Sequence, residues 1–321
     1  MRPLAIVIKG ACLGGLLVAA AGGAAAQPGS GNLVMSGWAR FGDGSPARGI
    51  KVVCTVKYRP NVLREARTDD QGKWAIPFIK AGTWVTAAFA DEMMSELQEV
   101  LLTVSRSGVD LVLTRSAADI VIEAKKALYR EDLPKTIEIL DWFIQCFPRS
   151  RERAGAIFWL AYTHNRLGHD ETTSWAAVDL RKKALEGLET LIRSYPASEW
   201  RDDAEILRVD VALGLYRLGQ RRYRDIIEES AAVRDRSRMD VKLAGLEALL
   251  AVDGAGAVQG LGEIALKDPE SAVRKSAVLI LGQSETSEAR AMMAEVAMKD
   301  PDMSVKKEAQ LWLDRRPPGK K

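Results

Sequence analysis

Two related helical segments within residues 136–219 constrain the fold of this 321-residue chain more than any other feature. Each combines an apolar run at helical spacing, a break at an aromatic residue and a proline, a second helical run, and a final Leu-Gly. The prolines are 48 residues apart, and the serine after each can cap the next helix by accepting backbone N–H bonds. The glycines are expected to end their helices in the left-handed conformation. The matched positions are Pro148 and Pro196, Ser150 and Ser198, and Gly168 and Gly219.

The chain before these segments alternates between apolar and polar residues, which is the pattern of half-buried strands. The alternation covers residues 33–115 and is interrupted by turn sequences at 42–46 and 69–72. Its spacing predicts about six or seven short strands in a β-sandwich. Asp69 and Asp70 could bind Ca²⁺, but a hairpin turn accounts for both carboxylates and is favoured here.

The chain after these segments contains an internal repeat with a period of 32 residues. The segment EIALKDPESAVRKSAVLIL returns as EVAMKDPDMSVKKEAQLWL, and each copy carries an Asp-Pro pair. We expect Asp268 and Asp300 to cap helices that begin at Pro269 and Pro301, because proline is favoured at the first helical position. The repeat therefore predicts stacked helices.

Four phrases in the β region resemble the carboxypeptidase regulatory-like domain, a transthyretin-like sandwich. The phrases are Gly37-Trp38-Ala39, GSPARGIKVVCTV, ARTDDQGKWAI and IKAGTWVTAAF. In that family they are turn and core positions, so the resemblance implies a fold and no reaction. The zinc-ligand His-x-x-Glu pattern of the peptidase that accompanies this domain does not occur in the sequence.

The helical regions are similar to two repeat families. One set of phrases resembles tetratricopeptide-type repeats, in particular those of periplasmic outer-membrane assembly and cell-division-coordinator proteins, whose concave surface binds protein segments. Residues 168–184 add material beyond the usual 34-residue period, including Trp175. In the C-terminal repeat, Asp-Pro-x-x-x-Val-Arg/Lys-Lys resembles HEAT repeats. The phrases of the first set are Phe147-Pro148-x-Ser150, Ala156-x-x-Trp159-x-Ala161-Tyr162, Arg166-Leu167-Gly168 and Tyr195-Pro196-x-Ser198-x-x-Arg201.

The predicted fold class is a multidomain protein with an N-terminal all-β sandwich and a C-terminal all-α solenoid, tetratricopeptide-like and then HEAT-like. The predicted domains are a signal peptide (1–26), a linker (27–32), the carboxypeptidase regulatory-like sandwich (33–115), tetratricopeptide-like repeats (117–232), HEAT-like repeats (236–316) and a disordered tail (317–321).

The first residues predict export. Arg2 precedes an uncharged run from Gly10 to Ala26 that ends in small residues, as in a cleaved signal peptide. Lys9 stands where a lipid-attachment motif resembles a leucine position, so we set lipid modification of Cys12 aside. No other apolar run is long enough to cross a bilayer, which predicts a periplasmic or secreted protein without a transmembrane segment in its mature chain. The net charge of +3 disfavours a nucleic-acid partner.

The sequence predicts no catalysis. It has no Gly-x-Ser-x-Gly elbow, phosphate loop, zinc motif or Cys-His pairing, so we predict no catalytic residue, no cofactor and no metal. His164 and His169 flank a predicted helix end, which favours surface or packing roles. Cys54 and Cys146 fall in different predicted domains. We favour free thiols, since a disulfide would require the domains to dock.

Aromatic and arginine side chains in the helical region are candidate protein-binding residues, because these types dominate binding hot spots. Packing between helices is the alternative, favoured for the first two named below. A second candidate is a ladder of basic residues in successive C-terminal repeats, although solvated helix faces account for it equally well and are favoured. The candidates are Trp159, Tyr162, Trp200 and Arg201, and for the ladder Arg274, Lys275, Lys306 and Lys307.

These modules predict a non-catalytic, exported adaptor or scaffold that binds other proteins through its helical-repeat surface and organises the envelope. The alternative is a protein that binds glycans or envelope polysaccharide through its N-terminal sandwich, where Trp38 and Trp84 could stack on sugar rings. An enzyme is disfavoured, because each recognised module is of a class that presents surface to other molecules.

Overall fold

A computed structural model describes residues 33–57, 59–171 and 173–315, with only the backbone described at 59–62 and 255. The predicted signal peptide, linker and disordered tail lie outside the described residues. The described chain has a β-rich part followed by eleven α-helices, so the predicted order of an all-β part and a helical-repeat part is confirmed. Two compact units divide the chain, the first ending at Leu160 and the second beginning at Ala161.

Eight strands make up the β-rich part, one or two more than the alternation pattern predicts. They pair in the order β3-β2-β5-β6-β8-β1-β4, and β7 pairs with β5 outside this path. Every pairing is antiparallel except that of β1 with β8. The strands are β1 (Leu33–Phe41), β2 (Lys51–Val56), β3 (Arg59–Arg67), β4 (Lys73–Ile79), β5 (Gly82–Phe89), β6 (Met93–Ser95), β7 (Gln98–Leu102) and β8 (Leu111–Ser116).

Alternate residues of the strands build one apolar core, as the period of two requires. β3 and β6 show no clear alternation of apolar and polar residues. β3 is rich in polar residues and is held by its backbone pairing with β2, from Lys51 opposite Arg67 to Val56 opposite Arg59. β6 has three residues, too few for a periodic pattern. Core members of the other strands include Met35, Ala39, Val52, Cys54, Trp74, Ile76, Trp84, Val100, Leu102, Leu111 and Leu113.

Gly37 and the turn at residues 69–72 each have a clear structural basis. A Cβ atom at Gly37 would lie 1.9 Å from the carbonyl oxygen of Val109, so only glycine lets these two backbones approach. Asp69 forms the predicted turn, because its Oδ1 accepts the backbone N–H groups of Gln71 at 2.9 Å and Lys73 at 2.8 Å. The turn is not the predicted hairpin, because the strands that it joins, β3 and β4, pair with β2 and β1 and not with each other. Gly72 completes that turn with a φ of +75°.

Eleven α-helices follow the strands. Short 3₁₀ turns at Arg221–Tyr223 and Arg236–Arg238 precede α6 and α7. The helices are α1 (Ala117–Tyr129), α2 (Leu133–Cys146), α3 (Arg153–Asp170), α4 (Ser174–Ser194), α5 (Arg201–Arg217), α6 (Arg224–Ala231), α7 (Met239–Val252), α8 (Gly254–Lys267), α9 (Ser271–Leu281), α10 (Ser287–Lys299) and α11 (Met303–Arg315).

Within the first unit, α1 and α2 pack against one end of the β-rich part. The ring of Phe89 in β5 lies 6.3 Å from that of Trp142 and 6.1 Å from that of Phe147, measured between centroids. Both pairs are tilted or edge-on, the arrangements that aromatic rings favour. Met94 of β6 belongs to the same buried cluster. The β-rich part therefore covers an apolar face of the first helix pair.

Glu92, between β5 and β6, joins the same elements by hydrogen bonds. Its carbonyl oxygen accepts the N–H of Ala117, the first residue of α1, at 2.9 Å. Its carboxylate accepts the hydroxyl of Ser150 at 2.9 Å and the backbone N–H of Arg151 at 2.8 Å. Ser150 also accepts the N–H of Glu152 at 3.1 Å, so this serine shapes the turn before α3, which begins at Arg153, and is not the N-cap that its position predicts. One glutamate thus ties the sheet to both ends of the helix pair.

Of the two predicted glycine helix ends, one is confirmed and the other is wrong. Gly219 follows α5 with a φ of +84°, the left-handed conformation that ends a helix. Gly168 instead lies inside α3, which continues two residues further. A Cβ atom at Gly168 would lie 3.3 Å from Cγ of Arg181, so this glycine permits close packing of α4.

In the second unit, the Asp-Pro pairs precede helices without starting them. The helices α9 and α11 begin two residues after each proline, at Ser271 and Met303. The expectation of an N-cap at Asp268 is wrong, because its carboxylate accepts the guanidinium of Arg236 at 3.1 and 3.2 Å and the N–H of Glu270 at 2.9 Å. Asp268 therefore shapes the turn between helices.

Candidate protein-binding site

A pocket of about 280 Å³ lies among α3, α4 and α5 of the second unit and is centred on one buried arginine. Arg181 of α4 is only 6% exposed. Its Nη1 donates a hydrogen bond of 2.7 Å to the carbonyl oxygen of Gly168. A Cβ atom at Gly214 would lie 2.5 Å from Nε of Arg181, so glycines on both neighbouring helices make room for the guanidinium. We call this cavity the Arg181 pocket, and its lining residues are Gly168, His169, Glu171, Ser174, Ala177, Arg181, Gly214, Arg217 and Leu218.

The charge of Arg181 is not balanced by direct contact. Within the described part of the chain, Arg181 has no carboxylate at ion-pairing distance, and its buried Nε has no hydrogen-bond acceptor. Burial lowers the pKa of Arg181, and the negative charge of Asp210 partly opposes this shift. Asp210 itself accepts a 2.7 Å hydrogen bond from Asn165 and lies 3.9 Å from Nε2 of His169. The guanidinium remains charged, because its intrinsic pKa is above 12.

The rim of the pocket is exposed and mostly basic. Arg217, His169 and Glu171 are all solvent-exposed there. Ser174 contributes the first residue of α4, and the N-cap before it, Thr173, makes no side-chain capping bond. The first N–H groups of a helix attract negative charge. Trp175, the next residue of α4, is 75% exposed.

The first two candidate residues lie on α3 and are half-buried. Trp159 packs against the apolar cluster of α1 and α2, with Nζ of Lys125 at 4.9 Å from its ring centroid and the ring of Phe158 at 5.4 Å. Tyr162 is also half-buried. Packing is therefore the main structural role of Trp159, and partner binding by either residue stays a prediction.

The other two candidates lie at the start of α5. Trp200 is half-buried, and its backbone N–H donates to Ser198 Oγ at 3.2 Å. Arg201 donates from Nε to Glu205 at 3.3 Å, and Glu205 is buried and also accepts the guanidinium of Arg238. Arg201 thus stabilises a buried carboxylate, and a role in partner binding stays a prediction.

The four ladder residues do not share one exposed row. Arg274 is 6% exposed and grips Asp300 with Nε at 2.7 Å and Nη2 at 2.9 Å. Lys275 lies 3.7 Å from Glu308, Lys306 donates to the carbonyl oxygen of Met298 at 3.1 Å, and Lys307 is exposed. Arg274 is consequently a structural residue, and only the lysines are placed to meet a partner.

The tryptophans proposed to stack on sugars differ in exposure. Trp84 is 2% exposed and donates its indole N–H to the carbonyl oxygen of Lys80, so it belongs to the core. Trp38 is half-buried and lines a cleft of about 400 Å³ together with Trp74, Lys73 and Ser36. Trp38 is therefore the one of the pair that a sugar could reach.

Both described cysteines are free thiols. Cys54 is buried in the sheet and donates to Thr86 Oγ1 at 3.0 Å, and burial raises its pKa to about 11. Cys146, at the end of α2, is half-buried, and burial raises its pKa to about 12. Thiols with such high pKa values are weak nucleophiles at neutral pH.

The histidines occupy different environments. His164 is 8% exposed, and its burial, helped by the charge of Lys183, lowers its pKa to about 4, although Asp179 opposes the shift. His169 is exposed at the rim of the Arg181 pocket. The sequence predicts a surface or packing role for each histidine, and the structure places His164 in the interior and His169 at the surface.

The described residues contain no group of three or more His, Cys, Asp and Glu side chains arranged to hold a metal ion. None of their helices combines the length and the apolar character needed to span a bilayer.

Comparison with known protein families finds a similarity in the central part of the chain. Residues 113–212 match the model of a family described as YfiO, outer membrane lipoprotein. This range runs from the end of β8 into α5 and covers less than a third of the chain, so the similarity concerns that part alone. No curated protein matches the chain significantly. Trp175 and Arg181 lie within the matched range. Neither is among the binding residues predicted from the sequence.

Arg274→Gln is expected to lower the free energy of unfolding by about 3 kcal/mol, because it leaves the buried carboxylate of Asp300 without its counter-charge. Lys307→Gln, at the exposed ladder position, is the matched control and should change stability by less than about 0.5 kcal/mol. Urea titration of both variants measures the difference. Equal effects would contradict the structural role assigned to Arg274.

His164→Gln is expected to reduce the loss of stability between pH 7 and pH 5. The folded pKa of about 4 lies below the ordinary 6.5, so the unfolded chain takes up the proton first as the pH falls. The contribution of His164 is therefore lost as the pH falls from about 6.5 towards 4, and about 2 kcal/mol should disappear by pH 5.

Urea titrations of wild type and His164→Gln at both pH values test this expectation, and His169→Gln provides the exposed control. The wild type and His169→Gln should lose the same stability on acidification, and His164→Gln should lose less. An identical loss in all three proteins would show that His164 is protonated at its ordinary pKa.

Proposed function

We propose that this protein is a non-catalytic adaptor that binds another protein at the cell envelope through its helical repeats. Two observations support the proposal. The similarity at residues 113–212 is to a family described as an outer membrane lipoprotein. Beside the Arg181 pocket, within that range, Trp175 exposes most of its indole to solvent.

The exposed indole of Trp175 is the observation that carries the proposal. A tryptophan can bury on the order of 150–250 Å² of surface, so an exposed one is a large source of binding free energy. Trp175 is in the first turn of α4, where the helix backbone holds it in place. Tryptophan and arginine are the residues most enriched in binding hot spots. An exposed tryptophan next to a basic pocket thus suits a protein partner that carries both apolar and acidic groups.

The finer assignment of the modules is part of this proposal. We assign residues 117–232 to tetratricopeptide-like repeats, 236–316 to HEAT-like repeats and 33–115 to a carboxypeptidase regulatory-like sandwich. Stacked helix pairs present long surfaces to other proteins, which is the usual role of such repeats. In this proposal the β-rich part closes one end of the first helix pair.

Trp175→Ala is expected to weaken capture of the partner about tenfold or more, the loss typical of a hot-spot tryptophan. The measurement is crosslinking and affinity purification of the mature protein from its own envelope fraction, with each co-purified protein quantified. Met298→Ala is the matched control, because Met298 is a 69% exposed apolar residue of α10 in the same unit.

Thermal unfolding of each variant excludes a loss of fold as the cause. Trp200→Ala, measured in parallel, tests the candidate that the sequence favours. If the wild type and Trp175→Ala capture every partner equally, α4 is not part of the binding surface and the proposal loses its main support.

We propose export to the periplasm or the exterior, with cleavage after Ala26. The mature chain should then begin at Gln27, which mass spectrometry of the N-terminal peptide would show. A lipid-modified peptide beginning at Cys12 would instead give this chain the anchor implied by the description of the similar family. Retention of Met1 would contradict both alternatives.

A second candidate function is binding of envelope polysaccharide by the cleft at Trp38. The accessible indole and the adjoining Lys73 and Ser36 favour it, because sugars bind by stacking on aromatic rings and by hydrogen bonds to polar groups. Trp38→Ala should abolish retention of the mature protein on purified envelope polysaccharide. Leu101→Ala, at a 61% exposed position of β7, is the control. Failure of the wild type to be retained would exclude this candidate.

A further inference from the structure

We propose that the Arg181 pocket binds a carboxylate, which completes the contacts of the Arg181 guanidinium. The inference deepens the proposed function, and it rests on that function only in assigning the carboxylate to a protein partner. The binding of the carboxylate itself is derived from the pocket and can be tested without a partner.

Within the described residues, the Arg181 guanidinium has N–H donors without an acceptor. A guanidinium has five N–H donors, and Arg181 uses one of them, toward the carbonyl oxygen of Gly168. Its Nε–H is buried and has no acceptor in the described part of the chain. An arginine that is 6% exposed is normally paired, because burying a charge without a partner is costly. Arg181 therefore retains the capacity for a strong, charge-assisted interaction.

The described carboxylates near Arg181 do not form an ion pair with it. Asp210 acts on Arg181 only at a distance and is hydrogen-bonded to Asn165. Glu171 lines the pocket but is solvent-exposed and forms no ion pair with Arg181. The counter-charge for the buried guanidinium is thus left to a ligand.

The pocket has room for a ligand and is lined by positively charged groups. The cavity of about 280 Å³ is lined by Arg181, whose side chain fits between α3 and α5 because Gly168 and Gly214 carry no side chains. The exposed Arg217 adds a second positive charge, and the first turn of α4 at Ser174 adds the partial positive charge of a helix N-terminus. These groups surround one side of the space with hydrogen-bond donors.

The charge balance favours a carboxylate over a phosphate. Arg181 and Arg217 face the pocket with Glu171, so a singly charged anion is accommodated with less repulsion than a dianion. The planar fork of a guanidinium also matches a planar carboxylate in a two-point interaction. An aspartate or glutamate side chain and a chain terminus both present this group.

The Nε–H resonance of Arg181, observed by nitrogen-15 NMR of the mature protein, reports directly on the pocket. Three N-acetylated tripeptides are added: one amidated with a central aspartate, one of alanine with a free C-terminal carboxylate, and one amidated with a central asparagine. Inorganic phosphate at the same ionic strength is the fourth probe. The Nε–H of Arg274, which donates to Asp300, is the internal control.

A saturable shift of the Arg181 signal with either carboxylate peptide, without a shift from the asparagine peptide or at Arg274, is expected. The peptide that causes it tells whether a side chain or a chain terminus is preferred. Arg217→Gln should weaken binding about threefold, the effect of removing one exposed charge, and Glu171→Gln should strengthen it. The resonance is assigned by through-bond correlation in the wild type, so the test does not depend on a variant that fails to fold.

Two outcomes would overturn the inference. No shift with either carboxylate peptide at millimolar concentration would mean that Arg181 is only a structural residue. A shift with phosphate and not with the carboxylates would assign the pocket to another anion. Neither outcome affects partner capture through Trp175, so a failure here is distinct from a failure of the adaptor proposal.

Discussion

Burial of the apolar face of the first helix pair is the constraint on which the first unit depends. A helix pair of this kind cannot bury its apolar face alone and needs another element to cover it. Here that element is the end of the β-rich part, where Phe89 and Met94 join the cluster of α1 and α2. Glu92 adds directional bonds to both ends of the pair. Aromatic burial supplies most of the attraction, and the hydrogen bonds fix its geometry.

Arginine pairs with buried carboxylates in the C-terminal repeats, and a comparison with these pairs supports the site proposed at Arg181. Arg274 grips Asp300, whose pKa is lowered by that hydrogen-bonded contact, and Arg236 grips Asp268 in the preceding repeat. These pairs hold the turns before α9 and α11. Arg181 is as buried as Arg274, yet among the described residues its only hydrogen-bond partner is a carbonyl oxygen. Because an unpaired buried charge is costly, the difference between these arginines points to a ligand for Arg181.

Local patterns predicted the parts of the structure that depend on local physics. Alternation over residues 33–115 predicted strands, and β4, β7 and β8 alternate between buried and exposed residues as expected. It did not predict β3, whose pairing with β2 is carried by the backbone of a polar segment. The Leu-Gly pattern predicted the end of α5 but not the continuation of α3 through Gly168, which depends on how closely Arg181 packs. Both features depend on contacts with another strand or helix, which a local sequence pattern does not contain.

The Arg181 pocket was beyond the reach of sequence reasoning for the same reason. Arg181 stands before Lys182 and Lys183 in a charged stretch of α4 that reads as a solvated helix face. Its burial depends on Gly168 and Gly214, which lie on two other helices. The one available signal was the extra material at residues 168–184, which lengthens the repeat and introduces Trp175. An insertion that adds an exposed tryptophan and a buried arginine without a carboxylate partner among the described residues has little use in packing alone, which is the reason for proposing a binding site there.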